Sequence, residues 1–442
     1  MKLPGYVNVI LEKLNNNGFE AFAVGGCVRD SLLGIEPKDY DVTTNATPEQ
    51  IKECFCDFRT IDTGIEFGTV TVISAGFPVE VTTYRIDGEY NDNRRPDSVE
   101  FTSQLSEDLR RRDFTINAMA FNEKTGIIDL YGGKVDLADG IIRAIGNPIE
   151  RFNEDGLRIM RALRFASSYN FSIEVETAAA IHKQAHLLEN IAKERIAIEF
   201  NKFICGNCEA ILREYHDVFS VLIPEIKKCV GFKQCTKYHN RDVYEHIIAT
   251  VSAIEPVKHL RLAMLLHDIG KPDYFTIDEQ GQGHFKGHAI GSCEIAEKFL
   301  KTYKYDNESI RKVIELIKYH DIVIENNERQ IKRYLNRFGE EMFLDIITVH
   351  IADDIGKSPE FQQRIEVYNS VREAVKRIIE EKECFSLVNL AVNGNDIIEL
   401  GYKGKSVGDI LRYLLEKVID GDFPNKKDIL INEAKKIGGA EY

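Results

Sequence analysis

Residues 21–41 read AFAVGGCVRDSLLGIEPKDYD, and this stretch decides the fold. Its first four residues are apolar and predict a short buried strand. Gly25 and Gly26 follow, and two glycines allow the backbone to turn and to approach a ligand closely. A short helix over Arg29–Leu33 would begin at this turn, which makes its N-terminus suitable for phosphate oxygens.

The same stretch ends in a pair of carboxylates. Asp39 and Asp41 are two residues apart, so on a strand both side chains would point to one face. Paired carboxylate oxygens suit Mg²⁺, which prefers a few carboxylates together with waters and substrate phosphates. Glu80, in a predicted strand over Val79–Arg85, is a candidate third carboxylate, because two-metal sites for phosphoryl transfer use several acidic ligands.

The composition describes a globular protein of several domains. The 442 residues exceed one hydrophobic core and predict three or four domains. No apolar run is long enough for a membrane span, and the N-terminus lacks a secretory pattern. The nine cysteines include no Cys-x-x-Cys pair, which predicts reduced thiols and a cytoplasmic protein.

The net charge of −14 disfavours a broad, non-specific nucleic-acid surface but allows a local basic groove. Arginines cluster at 110–112, where they precede Asp113 and a predicted apolar helical run. This cluster would place a guanidinium fork beside the acidic pair, and arginine suits triphosphate oxygens.

A further cluster lies at residues 151–165, RFNEDGLRIMRALRF. On one continuous helix, Asp155 and Arg158 would be a turn apart, and Arg161 and Arg164 would continue the same ridge. Such a pair predicts a surface salt bridge. Because Asp155 accepts and Arg158 donates hydrogen bonds, the pair also offers a fixed pattern to the Watson–Crick edge of a base.

These motifs together resemble the class II tRNA nucleotidyltransferase and poly(A) polymerase family, within the polymerase-β-like nucleotidyltransferases. The resemblance is carried by GGCVRD at 25–30, DYD at 39–41, EVTT at 80–83, RRDFTINA at 111–118 and EDGLRIMRALRF at 154–165. It implies Asp39, Asp41 and Glu80 at the catalytic metals and Gly26, Arg29 and Arg112 at the triphosphate.

The resemblance also assigns the choice of cytosine or adenine, without a template, to Asp155 and Arg158. Arg161 and Arg164 would then face ribose and phosphates. Gly156 stands where the family usually has proline. The polar segment 86–97 resembles the flexible loop with which CCA-adding enzymes switch from CTP to ATP.

A second set of metal-binding residue types lies further along the chain. His267-Asp268-Ile269-Gly270-Lys271, with histidines spaced about 20 to 35 residues apart, resembles the HD-domain phosphohydrolases. Histidine and aspartate suit Mn²⁺, Fe²⁺, Ni²⁺ or Zn²⁺ better than Mg²⁺. The resemblance implies that a first metal would be held by His246, His267, Asp268 and Asp353. His288 and His320 match positions that family members with two metals use.

The predicted fold class is α+β, and four domains are expected. They are a nucleotidyltransferase head with a mixed sheet over 1–140, a helical neck and body over 141–230, an all-α HD domain over 231–360 and a helical tail over 361–442. In the tail, Lys403, Lys405, Lys426 and Lys427 are candidates for contact with a tRNA backbone.

The resemblance predicts a CCA-adding tRNA nucleotidyltransferase that uses Mg²⁺, CTP and ATP, acts on tRNA, and needs neither a membrane nor an obligate protein partner. A poly(A) polymerase, or an enzyme that adds only CC or only A, is the nearest alternative. A different class of function is an HD phosphohydrolase whose head only binds RNA. A non-catalytic RNA-binding protein is the least favoured alternative, because it would give neither set of carboxylates a function.

Overall fold

The computed structural model describes residues 1–88 and 99–438. Most of the predicted loop at 86–97 therefore lies outside the described residues. The chain divides into two compact units: unit 1 holds residues 1–227 with 302–304, and unit 2 holds residues 228–301 with 305–442. The four domains expected from the sequence remain a prediction.

Unit 1 contains a seven-stranded mixed sheet. Its strands are β1 Ala21–Val24, β2 Asp41–Thr44, β3 Arg59–Ile61, β4 Thr69–Ser74, β5 Phe77–Thr83, β8 Met119–Asn122 and β9 Gly126–Asp129. Their order in the sheet is β3-β4-β5-β2-β1-β8-β9; the pair β2–β5 is parallel and the other neighbours are antiparallel. Two smaller pairs are β6 Arg85–Asp87 with β7 Val99–Phe101, and β10 Ile141–Ile142 with β11 Ser172–Ile173.

Helices flank this sheet and then continue as a helical segment. They are α1 Gly5–Asn16, α2 Gly26–Leu32, α3 Pro48–Cys54, α4 Leu105–Arg110, α5 Gly133–Asp139, α6 Pro148–Glu154, α7 Leu157–Tyr169, α8 Val175–Gln184, α9 Lys193–Ile204, α10 Glu209–Glu214 and α11 His216–Leu222. α3 begins with a capping box in which Thr47 and Gln50 satisfy each other's backbone amides. The predicted α+β class with a mixed-sheet head is confirmed.

The segment after Asp113 corrects a sequence-based expectation. Residues 114–120 were expected to be helical, but they form a short 3-10 turn, Thr115–Asn117, and then β8. β8 lies between β1 and β9 in the sheet and is buried along its whole length. A strand covered on both faces reads as a continuous apolar run, which periodicity alone does not distinguish from a buried helix.

Unit 2 is mostly helical. After α12 Ile226–Cys229 at the boundary, its helices are α13 Val243–Ala253, α14 Lys258–Leu266, α15 His288–Thr302, α16 Asn307–Lys318, α17 Glu328–Phe338, α18 Glu340–Gly356, α19 Arg364–Glu380, α20 Gly394–Glu399, α21 Lys405–Ile419 and α22 Lys427–Gly438. The expectation of an all-α domain over 231–360 is wrong in one detail. A hairpin, β12 Thr276–Ile277 with β13 Gly283–His284, closes around a turn with Gly281 at positive φ.

The last three helices share a hydrophobic cluster of their own around Ile397, Leu414 and Leu430. Of the basic residues singled out in this tail, Lys427 pairs with Asp396 at 2.5 Å. Within the described ranges, no helix has the length and apolar character needed to cross a membrane.

Candidate functional site

The sheet of unit 1 brings two of the predicted carboxylates side by side. Asp41 is the first residue of β2 and lies opposite Glu80 of β5 in a parallel register. Asp39 lies before the strand, so the expectation of one strand carrying both aspartates is wrong. The reason is that Asp41 pairs with Val24, the last residue of β1, and the chain leaves the sheet at Gly25. Residues before Asp41 therefore have no strand to pair with on that side.

The surroundings of Asp41 carry an excess of negative charge. Burial of its carboxyl raises the pKa of Asp41 to about 6, repulsion from Glu80 and Asp39 adds to this, and only Arg112 opposes it. A carboxylate held near other carboxylates in a partly desolvated place gains most from a divalent cation. The acidic group therefore fits Mg²⁺, with Asp39, Asp41 and Glu80 as the residues that would hold it.

The glycine turn fits closely around an arginine. Gly25 has φ +77°, and a Cβ built on it would lie 3.0 Å from Nη1 of Arg112. Arg112 donates a hydrogen bond to Asp108. Asp108 is fully buried and also accepts hydrogen bonds from Arg111 and from Thr43 of β2. Burial alone would raise the pKa of Asp108, but the two arginines hold it below its ordinary value. Arg112 is thereby fixed against the turn.

A cleft of about 440 Å³ joins these groups to the arginines of the third motif. Six arginines and four aspartates lie on its walls, so the cleft carries an excess of positive charge within an acidic chain. The lining residues are Gly25, Gly26, Arg29, Asp39, Asp41, Arg111, Arg112, Asp113, Asn117, Asp155, Arg158, Arg161, Arg164 and Phe165. Nine of the predicted site residues line this cleft, and the tenth, Glu80, borders it through Asp41.

A series of ionic and hydrogen-bonding contacts fixes Arg29, Arg161 and Arg164, and its first part involves Arg29 and Arg161. Arg29 donates to Asn117, whose amide donates to Asp113 at 2.9 Å, and Arg161 donates to Asp113 at 2.7 Å. Burial would raise the pKa of Asp113, but Arg161 and Asn117 outweigh it and hold the pKa at about 2.

The chain of contacts continues into α9. Glu199 of that helix is buried, and its Oε2 lies 2.7 Å from Nε of Arg164, while Arg161 lies 3.9 Å from its Oε1. Arg164 also lies over the ring of Phe165, 3.8 Å from the centroid. We call this set of six, running from Arg29 through Asn117, Asp113, Arg161 and Glu199 to Arg164, the arginine chain.

The predicted salt bridge between Asp155 and Arg158 does not form. Helix α6 ends at Glu154, Asp155 is extended with φ −140°, and α7 begins at Leu157. Arg158 instead pairs with Glu154 at 2.6 Å and donates to the backbone carbonyls of residues 111 and 151. Asp155 accepts a hydrogen bond from the backbone amide of Leu157 and another, at 2.9 Å, from Arg195 of α9. Both side chains still line the cleft.

The interruption has a local cause. Gly156 packs so closely against the 3-10 turn that follows α8 that a Cβ there would lie 3.0 Å from Cβ of Leu187. Because Gly156 lies between two helices rather than inside one, the penalty for a glycine in a helix interior does not apply.

The sequence analysis missed two charged residues of α9 that hold residues of the cleft. Arg195 pairs with Asp155, and Glu199, one turn later among apolar core residues, pairs with Arg164. A charged residue within an apolar helical face is the signal that would have marked it, because a buried charge requires a partner. The sequence does not say which partner.

We expect Glu199→Gln to lower the free energy of unfolding by about 2–3 kcal/mol, because it leaves Arg164 without its carboxylate. Chemical denaturation of the full chain measures the shift of the first transition. Glu194→Gln, at an exposed position on the same helix, is the matched control and should change it by less than about 0.5 kcal/mol. Equal midpoints for the two variants would contradict the holding role of Glu199.

Unit 2 brings all six of its predicted ligands together. One group holds His246, His267, Asp268 and Asp353, and the other holds Asp268, His288 and His320. Within each group the ligand atoms lie within 4.8 Å of one another. The two groups share Asp268, whose Oδ2 faces His246 and His267 at 3.2 Å and whose Oδ1 faces His288 at 3.2 Å. We call these two groups the histidine cluster.

The histidine tautomers are set by the backbone. In His267, His288 and His320, Nδ1 bonds a carbonyl oxygen three residues earlier, at 2.6–2.8 Å. Nδ1 therefore carries the proton, and each Nε2 lone pair points into the cluster. Asp268 is 1% exposed, and its carboxylate faces histidine nitrogens on both sides and the Nζ of Lys271 at 2.5 Å.

The elements that carry the cluster meet through small residues. Gly270 follows the His-Asp pair, and a Cβ there would lie 2.7 Å from the backbone nitrogen of Ser292 and 3.0 Å from the carbonyl oxygen of His288. Lys271 is buried and pairs with Asp268 at 2.5 Å. Nitrogen and carboxylate donors in this arrangement fit Mn²⁺, Fe²⁺, Ni²⁺ or Zn²⁺.

Comparison with known families gives three matches. Residues 21–143 match the Poly A polymerase head domain, residues 170–229 match the probable RNA and SrmB-binding site of polymerase A, and residues 288–434 match the putative tRNA nucleotidyltransferase domain 2. The last match spans the boundary at 360 that the sequence analysis predicted between two domains.

Relatives and solved structures resemble nearly the whole chain. The CCA-adding enzyme of Ligilactobacillus salivarius is 37% identical over 97% of this chain and 95% of its own length, and that of Lactococcus lactis subsp. cremoris strain MG1363 is 34% identical over the same shares. The crystal structure of the Bacillus stearothermophilus CCA-adding enzyme in complex with CTP matches with a TM-score of 0.73 and 27% identity, over 100% of this chain and 99% of that one. A Thermotoga maritima CCA-adding enzyme complexed with tRNA shares the fold at 20% identity and a TM-score of 0.62, over 98% and 95% of the two chains.

Proposed function

This chain belongs to the CCA-adding enzyme family of nucleotidyltransferases, and we propose that it adds CMP, CMP and AMP in turn to the 3′ end of tRNA, from CTP and ATP, in the cytoplasm. The observation that supports this most is that one cleft of unit 1 brings the predicted residues together. It holds aspartates suited to a metal, arginines suited to a triphosphate, and a donor–acceptor pair suited to a base.

The triphosphate would lie against the glycine turn. Gly26 begins α2, and Arg29 and Arg112 offer guanidinium groups that already have fixed positions. Arginines held by other protein groups pay little conformational entropy on binding phosphate, so the ligand meets a preorganised surface.

The carboxylates of Asp39, Asp41 and Glu80 would hold Mg²⁺ next to this surface. When bound, Mg²⁺ neutralises charge on the phosphates and makes the 3′-hydroxyl of the RNA a better nucleophile. The protein's own part is to bring the 3′ end and the α-phosphate together, and Arg112 opposes the protonation of Asp41 that burial favours.

Base choice would belong to Asp155 and Arg158. Asp155 can accept a hydrogen bond from an exocyclic amino group, which both cytosine and adenine have, and Arg158 can donate to a ring nitrogen or carbonyl. Arg158 is fixed by Glu154 and two backbone carbonyls, and Asp155 by Arg195. The pair thus acts through fixed placement rather than through the expected mutual salt bridge.

The direct test uses tRNA that lacks its 3′ terminal nucleotides. The purified protein receives CTP alone, ATP alone or both, and the product lengths are read on a sequencing gel. CCA addition gives two nucleotides with CTP alone and three with both, and a further lane with tRNA ending in CC gives one with ATP. Long products with ATP alone would indicate a poly(A) polymerase. Arrest after two nucleotides would indicate an enzyme that adds only CC, and addition of one AMP to tRNA ending in CC without any addition from CTP would indicate an enzyme that adds only A.

We expect Asp155→Ala to lower discrimination against UTP and GTP by about 10- to 100-fold, which corresponds to the loss of one charged hydrogen-bond acceptor. Single-nucleotide addition rates with each of the four nucleotides measure this. Arg195→Met is the matched variant, because it breaks the same ion pair but leaves the carboxylate in place. If Asp155→Ala kept the strict order of CTP and then ATP, the base-reading role would be wrong.

We also expect nucleotide addition to fall as the pH decreases through about 6. Asp41 binds metal only when ionised, and its raised pKa means that it takes up a proton in this range rather than near pH 4. Because Mg²⁺ binds the ionised form, a tenfold increase in Mg²⁺ should move the midpoint to lower pH. A midpoint that does not depend on Mg²⁺ would assign the titration to another group.

For unit 2 we propose a second function, a metal-dependent phosphohydrolase at the histidine cluster. The supporting observation is the convergence of six ligand residues, with the Nε2 atoms of the four histidines directed inward and the buried Asp268 shared by both groups. A divalent transition metal there would activate water for attack on phosphorus. The competing possibility, a structural ion, predicts metal content without hydrolysis of any phosphate ester.

A further inference from the structure

A cavity of about 350 Å³ lies beside the histidine cluster. Two cluster residues, His320 and Asp353, form part of its wall, so a ligand in the cavity would reach the cluster directly. The wall also includes His239, Asp321, Asp354, Lys357, Arg364 and Tyr368. The volume suits a small organic molecule rather than a folded partner.

Asp354 is the unusual member of this wall. It is 2% exposed, its Oδ1 accepts from Lys357 at 2.6 Å, and its Oδ2 is buried without a hydrogen-bond partner among the residues that the structure describes. The cluster does not use Asp354, since the neighbouring Asp353 contributes the ligand oxygen. A buried carboxylate oxygen without a donor is costly, so it marks a place where a donor is expected to bind.

A second buried polar atom on the same wall is also unsatisfied. Nδ1 of His239 has no hydrogen-bond partner within the described residues, and its ring packs edge to face against His246 with the centroids 4.6 Å apart. Two unsatisfied polar atoms on different segments of the chain indicate a polar ligand rather than an apolar one.

Positive charge lies at the same cavity. Lys357 pairs with both Asp353 and Asp354, which balances these carboxylates. Arg364 begins α19, is exposed, and interacts with the hydroxyl of Tyr368 and the charge of Asp354. A guanidinium in this position can bind a phosphate oxygen while the ester lies at the cluster.

We propose that this cavity recognises the alcohol half of a phosphate ester, and that Asp354 selects esters whose alcohol carries a free hydroxyl group, such as polyol and sugar phosphates. The proposal rests on the phosphohydrolase function proposed for the histidine cluster. Oδ2 of Asp354 accepts the hydrogen bond of that hydroxyl, His239 offers a second polar contact, and Arg364 binds a phosphate oxygen. A simple alkyl phosphate leaves Oδ2 unsatisfied and binds more weakly.

The test compares glycerol 3-phosphate with propyl phosphate, which differ only in two hydroxyl groups. Isothermal titration calorimetry on the full chain with its metal bound gives the two dissociation constants, with each ester replaced by its phosphonate analogue, in which a CH₂ group stands for the ester oxygen so that nothing is hydrolysed. We expect the wild type to prefer the analogue of glycerol 3-phosphate by about tenfold and Asp354→Leu to reduce this preference to less than about twofold. Asp321→Asn, at an exposed position on the same wall, is the matched control and should keep the preference.

Circular dichroism melting shows whether Asp354→Leu is folded, and Asp354→Asn, which keeps an acceptor oxygen, should retain at least part of the preference. Equal affinities of the wild type for the two analogues, no detectable binding of either, or an unchanged preference in Asp354→Leu would overturn the proposal. Hydrolysis is measured separately on the metal-loaded protein. A preference without any hydrolysis would support the recognition site but reject the phosphohydrolase function, whereas equal hydrolysis of both esters would do the reverse.

Discussion

Asp41→Ala is expected to lower the rate of nucleotide addition by about 10³-fold or more, and Asp39→Ala by a similar factor. Both residues lie in the cleft that holds the arginines, and Asp41 lies opposite Glu80 in the sheet. Loss of a ligand to a catalytic metal removes several kcal/mol of transition-state stabilisation, which corresponds to this factor. The effect should appear in the rate of the chemical step with saturating CTP and tRNA.

Two controls make this result specific. Asp57→Ala removes an exposed carboxylate of unit 1 that pairs with Lys13 at the surface, and it should leave the rate within about twofold. The metal content of unit 2 should be unchanged in Asp41→Ala, because the histidine cluster is made entirely of other residues. Addition at the wild-type rate in either aspartate variant would reject the assignment of the cleft.

The second large effect is expected at Asp268. Asp268→Ala should reduce the transition-metal content of the purified protein from its wild-type level to near zero, because this residue belongs to both groups of the histidine cluster. Elemental analysis of the metal and nucleotide addition are measured on the same preparation. Addition should remain within about twofold of the wild type, since its cleft lies wholly in unit 1.

Asp278→Ala is the matched control, because Asp278 is also an aspartate of unit 2 paired with a histidine, but at the surface. It should keep the metal. If Asp268→Ala retained the wild-type metal content while remaining folded, the cluster would not be the binding site, and the phosphohydrolase proposal would fail with it.

The sequence predicted which residues belong to each site better than it predicted the contacts that those residues make. Spacing and residue type indicated a metal on Asp39 and Asp41, and the resemblance carried by the combined motifs selected Arg112 from the arginine run. The six residues of the histidine cluster were also selected from residue type and resemblance, and the structure places them together.

The connections depended on three-dimensional detail that spacing does not carry. The interval between Asp155 and Arg158 is correct for a helical salt bridge, but the helix is interrupted between Glu154 and Leu157, and the partners became Arg195 and Glu154. The apolar run after Asp113 is equally suited to a buried helix and to a buried strand, and only the neighbouring strands decide between them.

The arginine chain has a consequence for how unit 1 comes apart. It links cationic and anionic side chains, through the neutral amide of Asn117, from α2 beside the sheet to α9 in the helical segment, and Asn117, Asp113 and Glu199 are buried. Separating the helical segment from the sheet would break the contact between Asp113 and Arg161, and breaking a largely buried ion pair costs several kcal/mol. We therefore expect the sheet and the helices around the cleft to unfold together as a single foldon, in which local fraying does not disassemble the site.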